Sequence, residues 1–213
     1  MIEAVIWDFG GVFTSSPFEA FNRYETQHGL PRDFIRGVNA TNPDTNAWAR
    51  FERNELTLDA FDRIFAEEAE ARGHRVPGRD VIGLLSGVVR PSMVEALRRC
   101  KARVKVGCIT NNVSAGKGAG MSDTPEKAKE VAEIIALFDH VIESSKVGIR
   151  KPDPRIYLLA CDTLGVKPEH CVYLDDLGIN LKPAAALGMK TIKVLSAEQA
   201  LPELEAAVGF PVA

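Results

Sequence analysis

The sequence predicts an α/β protein, a doubly wound parallel sheet with a helical cap inserted after the first strand. Three observations carry that expectation. Short apolar runs recur and each ends in a polar residue. Helical stretches separate those runs. Residues 16–90 hold helical periodicity without a convincing strand.

The first strand is expected at 4–7, ahead of Asp8, and a second at 104–109, ahead of Thr110. Two more are expected at 171–174, ahead of Asp175, and at 191–195. Runs that are apolar throughout suit strands covered by helices on both faces. Between them, a helix is expected over 92–101 after Pro91. Another is expected over 124–138, where Thr-Pro-Glu-Lys reads as an N-cap with proline at the first helical position. A third spans 154–164 and stops at Gly165. The strand–helix alternation implies the doubly wound sheet.

The insert reads differently. Phe18, Phe21 and Tyr24, then Phe51, then Leu58, Phe61, Ile64 and Phe65 recur at helical spacing, and Thr57 suits an N-cap. The aromatics from Trp48 to Phe51 and from Phe61 to Phe65 read as the core of this cap. The expected division is a core of 1–15 and 91–213 with a cap of 16–90. The cap leaves at the carboxyl end of the first strand, where open α/β sheets place ligands, so it should cover an active site.

Composition narrows the function classes. Hydrophobic residues make up 46% and charged residues 26% of the 213 residues, with a net charge of -3. That balance suits a soluble globular protein and argues against an electrostatic nucleic-acid binder. No apolar run approaches membrane-spanning length, and no secretory leader pattern opens the chain, so no membrane partner and a cytoplasmic location are expected. Cys100, Cys108, Cys161 and Cys171 show no CxxC pairing and read as reduced thiols, Cys108 and Cys171 as small core residues of buried strands.

The chemistry gathers at the strand ends. Asp8 follows one strand, Thr110 and Asn111 another, and Asp175 and Asp176 a third. In a parallel sheet those ends lie side by side, and Lys151, in Lys-Pro-Asp-Pro before a helix, can bring a cation to the same rim. Several carboxylates at one point repel one another unless a cation neutralises them, and oxygen ligands at that density suit Mg²⁺. Taken singly, each feature has a plain structural explanation: Asp175-Asp176 as a turn, Lys151 as a solvated lysine, Thr110-Asn111 as a cap.

Taken together, these segments resemble the haloacid dehalogenase superfamily of hydrolases, with its Rossmann-like core. Trp-Asp-Phe-Gly-Gly-Val is similar to the first family motif and Ile-Thr-Asn to the second. Lys151 stands for the third, and Leu-Asp-Asp-Leu-Gly-Ile-Asn for the fourth. Ile-Glu-Ser-Ser-Lys-Val-Gly, Lys-Pro-Asp-Pro-Arg-Ile-Tyr and the run through Leu-Lys-Pro-Ala to Leu-Gly-Met extend the likeness. It points to the amino-terminal phosphatase-like domain of soluble epoxide hydrolase and of an acyl-CoA dehydrogenase relative.

The resemblance implies roles. Asp8 would be the nucleophile that forms an aspartyl-phosphate. Thr110 and the backbone around Asn111 would hold phosphoryl oxygens, and Lys151 would neutralise nucleophile and phosphate. Asp8, the Gly10 carbonyl and Asp176 would ligate Mg²⁺, with Asp175 and Asn180 supporting them from behind. The implied substrate is a small phosphorylated metabolite.

One departure stands out. The phosphatase members carry an acid–base aspartate two residues after the nucleophile, and here that position is Gly10. General acid–base catalysis is worth ~10²–10⁴-fold in rate. Glu19, Glu52, His28 and His74 are the titratable cap residues that could replace it. Asp8-Phe9-Gly10 also spells a kinase metal motif, but no partner loops accompany it. The segment 116–120 lacks Walker spacing and reads as a mobile loop near the rim, placed to act as a lid. Three functions stay open: a Mg²⁺-dependent phosphatase, a catalytically weak binding or regulatory protein, and a metal-free 2-haloacid dehalogenase.

Overall fold

The structure, a computed structural model, describes residues 1–115 and 121–213. The expected lid segment, 116–120, therefore lies outside the described residues. In chain order the elements are β1 (Ala4–Trp7), α1 (Pro17–Gln27), α2 (Phe34–Ala40), α3 (Ala47–Glu52), α4 (Leu58–Glu70), α5 (Gly78–Gly83) and α6 (Pro91–Lys101). They continue as β2 (Lys105–Thr110), α7 (Pro125–Ile135), β3 (His140–Glu143), α8 (Ser144–Val147) and α9 (Pro154–Leu164). A short 3₁₀ turn, β4 (Cys171–Asp175), α10 (Gly178–Ala186), β5 (Lys190–Lys193) and α11 (Ala197–Val208) complete the chain.

The strands form one parallel sheet in the order β3-β2-β1-β4-β5. Alternation along each strand sorts side chains to two faces. Val5, Trp7, Val106, Cys108, Val172 and Leu174 pack with residues of α6, α7 and α11 on one face. Ala4, Ile6, Ile109 and Tyr173 pack with α9 and α10 on the other. Both faces of the sheet are covered, which is why the strands read as unbroken apolar runs.

Strand order reverses at β1: the chain builds β2 and β3 on one side, then crosses to β4 and β5 on the other. The crevice between the β1 and β4 ends is the topological switch point, where such sheets bind ligands.

Five helices, α1–α5, separate β1 from α6. Their apolar residues form a cluster of their own around Phe21, Phe51, Phe61 and Phe65, which Val113 and Met121 also join. The Phe51 and Phe61 rings stack with centroids 4.5 Å apart. A narrow neck leads in and out. Thr14 pairs with Val89 as an antiparallel bridge, Ser15 N donates to Val88 O at 2.8 Å, and Arg90 N donates to Phe13 O at 2.7 Å. The N-cap at Thr57 forms, its hydroxyl accepting from Ala60 N at 3.2 Å.

Sequence reasoning misses β3 and shifts some boundaries. β3 is an edge strand with two apolar residues between His140 and Glu143, and it is half exposed, so no apolar run marks it. α7 ends at Ile135 rather than 138. There Leu137 N and Phe138 N bond back three residues, to Ile134 O and Ile135 O, tightening the last turn.

Candidate active site

The carboxyl ends of β1, β2 and β4 deliver the side chains that the sequence singles out. Asp8 N donates to Leu174 O at 2.8 Å, extending the β1–β4 ladder by one residue and bringing Asp8 beside Asp175. Lys151 enters from the loop ahead of α9, and its ammonium lies 2.7 Å from Asp8 Oδ1 and 2.9 Å from Asp175 Oδ2. Only 1% of that lysine side chain is exposed, so the long stem crosses the core to hold two carboxylates. Burial pulls the Lys151 ammonium down, but Asp175 and Asp8 outweigh it and keep the group charged.

Asp175 is fully buried and its oxygens are occupied. Oδ2 accepts from Lys151 Nζ and the Tyr173 hydroxyl, Oδ1 accepts from Leu177 N at 2.8 Å, and Asn180 Nδ2 approaches both at 3.1 Å. Asp175 therefore faces inward and fixes the turn from which Asp176 projects. Asp176 lies directly over Gly11: a Cβ there would come within 2.3 Å of Asp176 Oδ2, and Gly11 has φ +75°. Only glycine allows that approach at that backbone angle.

Asp8, Asp175 and Asp176 each present an oxygen within 4.8 Å of the others. Three carboxylates face one buried ammonium, so the cluster carries an excess of negative charge. Burial pushes the Asp8 carboxyl well above its ordinary value against the pull of Lys151, with Asp175 and Asp176 adding to the push. Burial, then Asp175, pushes Asp176 up to about 6, with Lys151 and Arg90 opposing. Protons and a divalent cation are alternatives for relieving this repulsion, and the all-oxygen donor set suits Mg²⁺. The residues present fit that ion.

Thr110 is buried at the end of β2. Asn111 does something the sequence does not foretell. Its side chain clamps the Lys151 peptide, donating to Lys151 O at 3.1 Å and accepting from Lys151 N at 2.9 Å. Next to it, the buried Asn112 stitches this loop to Glu143, the last residue of β3, and to Ser144 and Ser145 just after it. That accounts physically for the Ile-Glu-Ser-Ser stretch.

The cap candidates for a missing acid separate clearly. Glu19, His28 and His74 are exposed; His28 stacks on Tyr24 and His74 packs edge-on against Phe34. Glu52 alone of the four is buried, and it reaches the rim at Arg150 and Asn111. Arg150 and Tyr173 are site residues that sequence reasoning passes over. Their partners lie far away in the chain or inside the sheet, and no local pattern announces them.

Comparison with known proteins places this geometry. The family model described as haloacid dehalogenase-like hydrolase matches residues 2–188. Acyl-CoA dehydrogenase family member 10 of Mus musculus is 37% identical over 98% of this chain, which spans 19% of that protein. Bifunctional epoxide hydrolase 2 of Mus musculus is 32% identical over the whole chain, which spans 40% of it. Phosphatase MT3486 of Mycobacterium tuberculosis is 32% identical over 91% of this chain and 87% of its own length. Among solved structures, a HAD-family enzyme of Bacteroides thetaiotaomicron in complex with magnesium and inorganic phosphate superposes with a TM-score of 0.60. It is 18% identical, covering 91% of this chain and 94% of its own. At that identity the likeness shows the fold.

Proposed function

Since the chain belongs to the haloacid dehalogenase-like hydrolase family, we propose that it is a Mg²⁺-dependent phosphomonoester hydrolase. Its substrate is a small phosphorylated molecule, and its nucleophile is Asp8. The observation that carries this reading is Asp176, a further carboxylate placed against the Asp8–Lys151–Asp175 group. Metal-free attack on carbon does not need it, whereas a divalent cation does. The family's magnesium and phosphate complex and the phosphatase relative support the same choice.

In this reading Asp8, the Gly10 carbonyl and Asp176 would hold the ion, while Asp175 and Asn180 fix their placement. Held there, it would supply positive charge to offset that of the phosphoryl oxygens. An Asp8 oxygen attacks phosphorus as the ester P–O bond breaks, leaving an aspartyl-phosphate and an alkoxide that takes a proton from water. Thr110 and the backbone at Asn111 hold phosphoryl oxygens, and Lys151 opposes the rise that burial imposes on the Asp8 carboxyl and orients it. Water then attacks phosphorus, the Asp8 O–P bond breaks, and inorganic phosphate leaves. Positioning and fixed charge do most of this work.

The cap of 16–90 closes over the core of 1–15 and 91–213 and sets specificity. Among the described residues no helix is long and apolar enough to cross a membrane; the unpaired thiols favour the reducing cytoplasm. A second reading, a catalytically weak binding or regulatory protein, is favoured by Gly10, which offers no carboxyl group to protonate the leaving group. Hydrolysis of an activated aryl phosphate with and without Mg²⁺, beside 2-chloropropionate without metal, decides between them. Mg²⁺-dependent phosphate release supports the phosphatase. Metal-free chloride release supports a dehalogenase, and inactivity on both supports the binding protein.

A further inference from the structure

On the phosphatase reading, we propose that Glu52 and Arg150 form a latch that fastens the cap to the core and, through Asn111, positions Lys151. The two residues are 98 apart in sequence. Glu52 sits at the end of α3 with 7% of its side chain exposed, and Arg150 sits beside Lys151 with 17% exposed. Glu52 Oε2 accepts from Arg150 Nε and, at 3.4 Å, from Asn111 Nδ2. Its Oε1 accepts from Trp48 Nε1 at 2.9 Å. Arg150 Nη1 also donates to Pro43 O at 3.1 Å, a second tie from the core to the cap.

Asn111 passes the contact on. It holds both polar groups of the Lys151 peptide, and the Lys151 ammonium in turn holds Asp8. A continuous path of direct contacts thus runs from a cap helix to the nucleophile. With Glu52 buried and Arg150 partly buried, the pair favours two arrangements, paired with the cap closed or solvated with it open, because a buried Glu52 left without its partner is strongly disfavoured. A displacement of about 1 Å at a reacting group can cost on the order of 10²-fold in rate, so control of the Lys151 peptide matters.

The same contacts argue against Glu52 as the missing acid. Both oxygens already accept from protein donors, so neither is turned toward a leaving group. The two roles differ in a measurable way. A latch acts equally on every substrate, whereas an acid acts most on poor leaving groups.

The test uses Glu52→Gln, Arg150→Met, the double variant and Arg150→Lys, assayed with Mg²⁺ on one aryl and one alkyl phosphate. Each single variant should lower kcat about 10- to 100-fold, by the same factor on both substrates, with KM changed less. The double variant should be no worse than either single, because both break one contact, and Arg150→Lys should recover part of the loss. Trp48 emission gives a reading independent of turnover, since the only other tryptophan, Trp7, is sealed in the sheet core. Emission should shift in Glu52→Gln and Arg150→Met while circular dichroism stays that of the unmodified protein.

Loss confined to the alkyl phosphate, additive losses, or unchanged kcat in both single variants would overturn the latch. If the unmodified protein hydrolyses neither ester, the phosphatase reading fails by itself. The latch then stands if both single variants shift Trp48 emission and speed proteolysis within 16–90, and falls if neither changes.

Discussion

A carboxyl group at position 10 would project into open space. A Cβ there meets nothing within 4 Å, and Gly10 is not among the glycines with positive φ. Gly10→Asp should therefore fold normally and raise kcat on an alkyl phosphate toward the general-acid range of ~10²–10⁴-fold, with a smaller gain on an aryl phosphate. An unchanged rate on both, in a folded and Mg²⁺-competent variant, contradicts the missing-acid account. Gly11 is the opposite case. Gly11→Ala drives a methyl into Asp176 and adds backbone strain of about 1–3 kcal/mol, so Mg²⁺ binding measured by calorimetry should be lost or severely weakened.

Titration offers a third check at this scale. Asp176 is pushed up from 3.8 to about 6 in the fold, so the folded state binds its proton more tightly than the unfolded chain. That contribution to stability is complete below the ordinary carboxylate value and is lost as pH rises through about 6. Mg²⁺ requires the deprotonated form, so its stabilising effect should grow with pH. The Mg²⁺-induced rise in Tm should be larger at about pH 8 than at about pH 5, and an equal or reversed rise would contradict the assignment.

At the scale of elements, α3 places Glu52 and Asn46 places α3. Asn46 is buried; its Oδ1 caps the helix at Ala49 N, 2.8 Å away, and its Nδ2 donates to Asn39 O and Thr41 O. Asn46→Ala removes the cap and strands two carbonyls, at a cost of about 2–4 kcal/mol in denaturant unfolding. A change within a few tenths of a kcal/mol would show that the helix start is held otherwise. The helices were legible because their caps and breakers are local: Thr57, Thr124 and Gly165 sit where the sequence pattern puts them. β1, β2 and β4 were legible because both faces are covered. β3 was not, because an edge strand with a polar residue at each end carries no such signature.

Over the whole molecule, topology explains why so much of the site could be read early. Asp8, Thr110 and Asp176 each stand at or just beyond a strand end, and the sheet order brings those ends together at the switch between β1 and β4. Lys151 follows no strand end; its place ahead of a helix allowed it to reach the rim, and the family likeness gave it a role there. Glu52 could be picked out only as one of four titratable residues in 16–90, and Arg150 escaped altogether, because what joins them is tertiary: a surface-like glutamate and arginine 98 residues apart become partners only in the folded chain. Gly10 gives the central claim a direct test. Without an acid–base group at that position, breakdown of an aspartyl-phosphate should be slow and the intermediate should accumulate. The decisive measurement is peptide mass analysis of protein quenched in acid during turnover of an aryl phosphate with Mg²⁺. The account predicts the mass of one phosphoryl group on the peptide containing Asp8, absent without Mg²⁺ and absent in Asp8→Asn. Turnover with that peptide unmodified, or turnover that persists in Asp8→Asn, would contradict it.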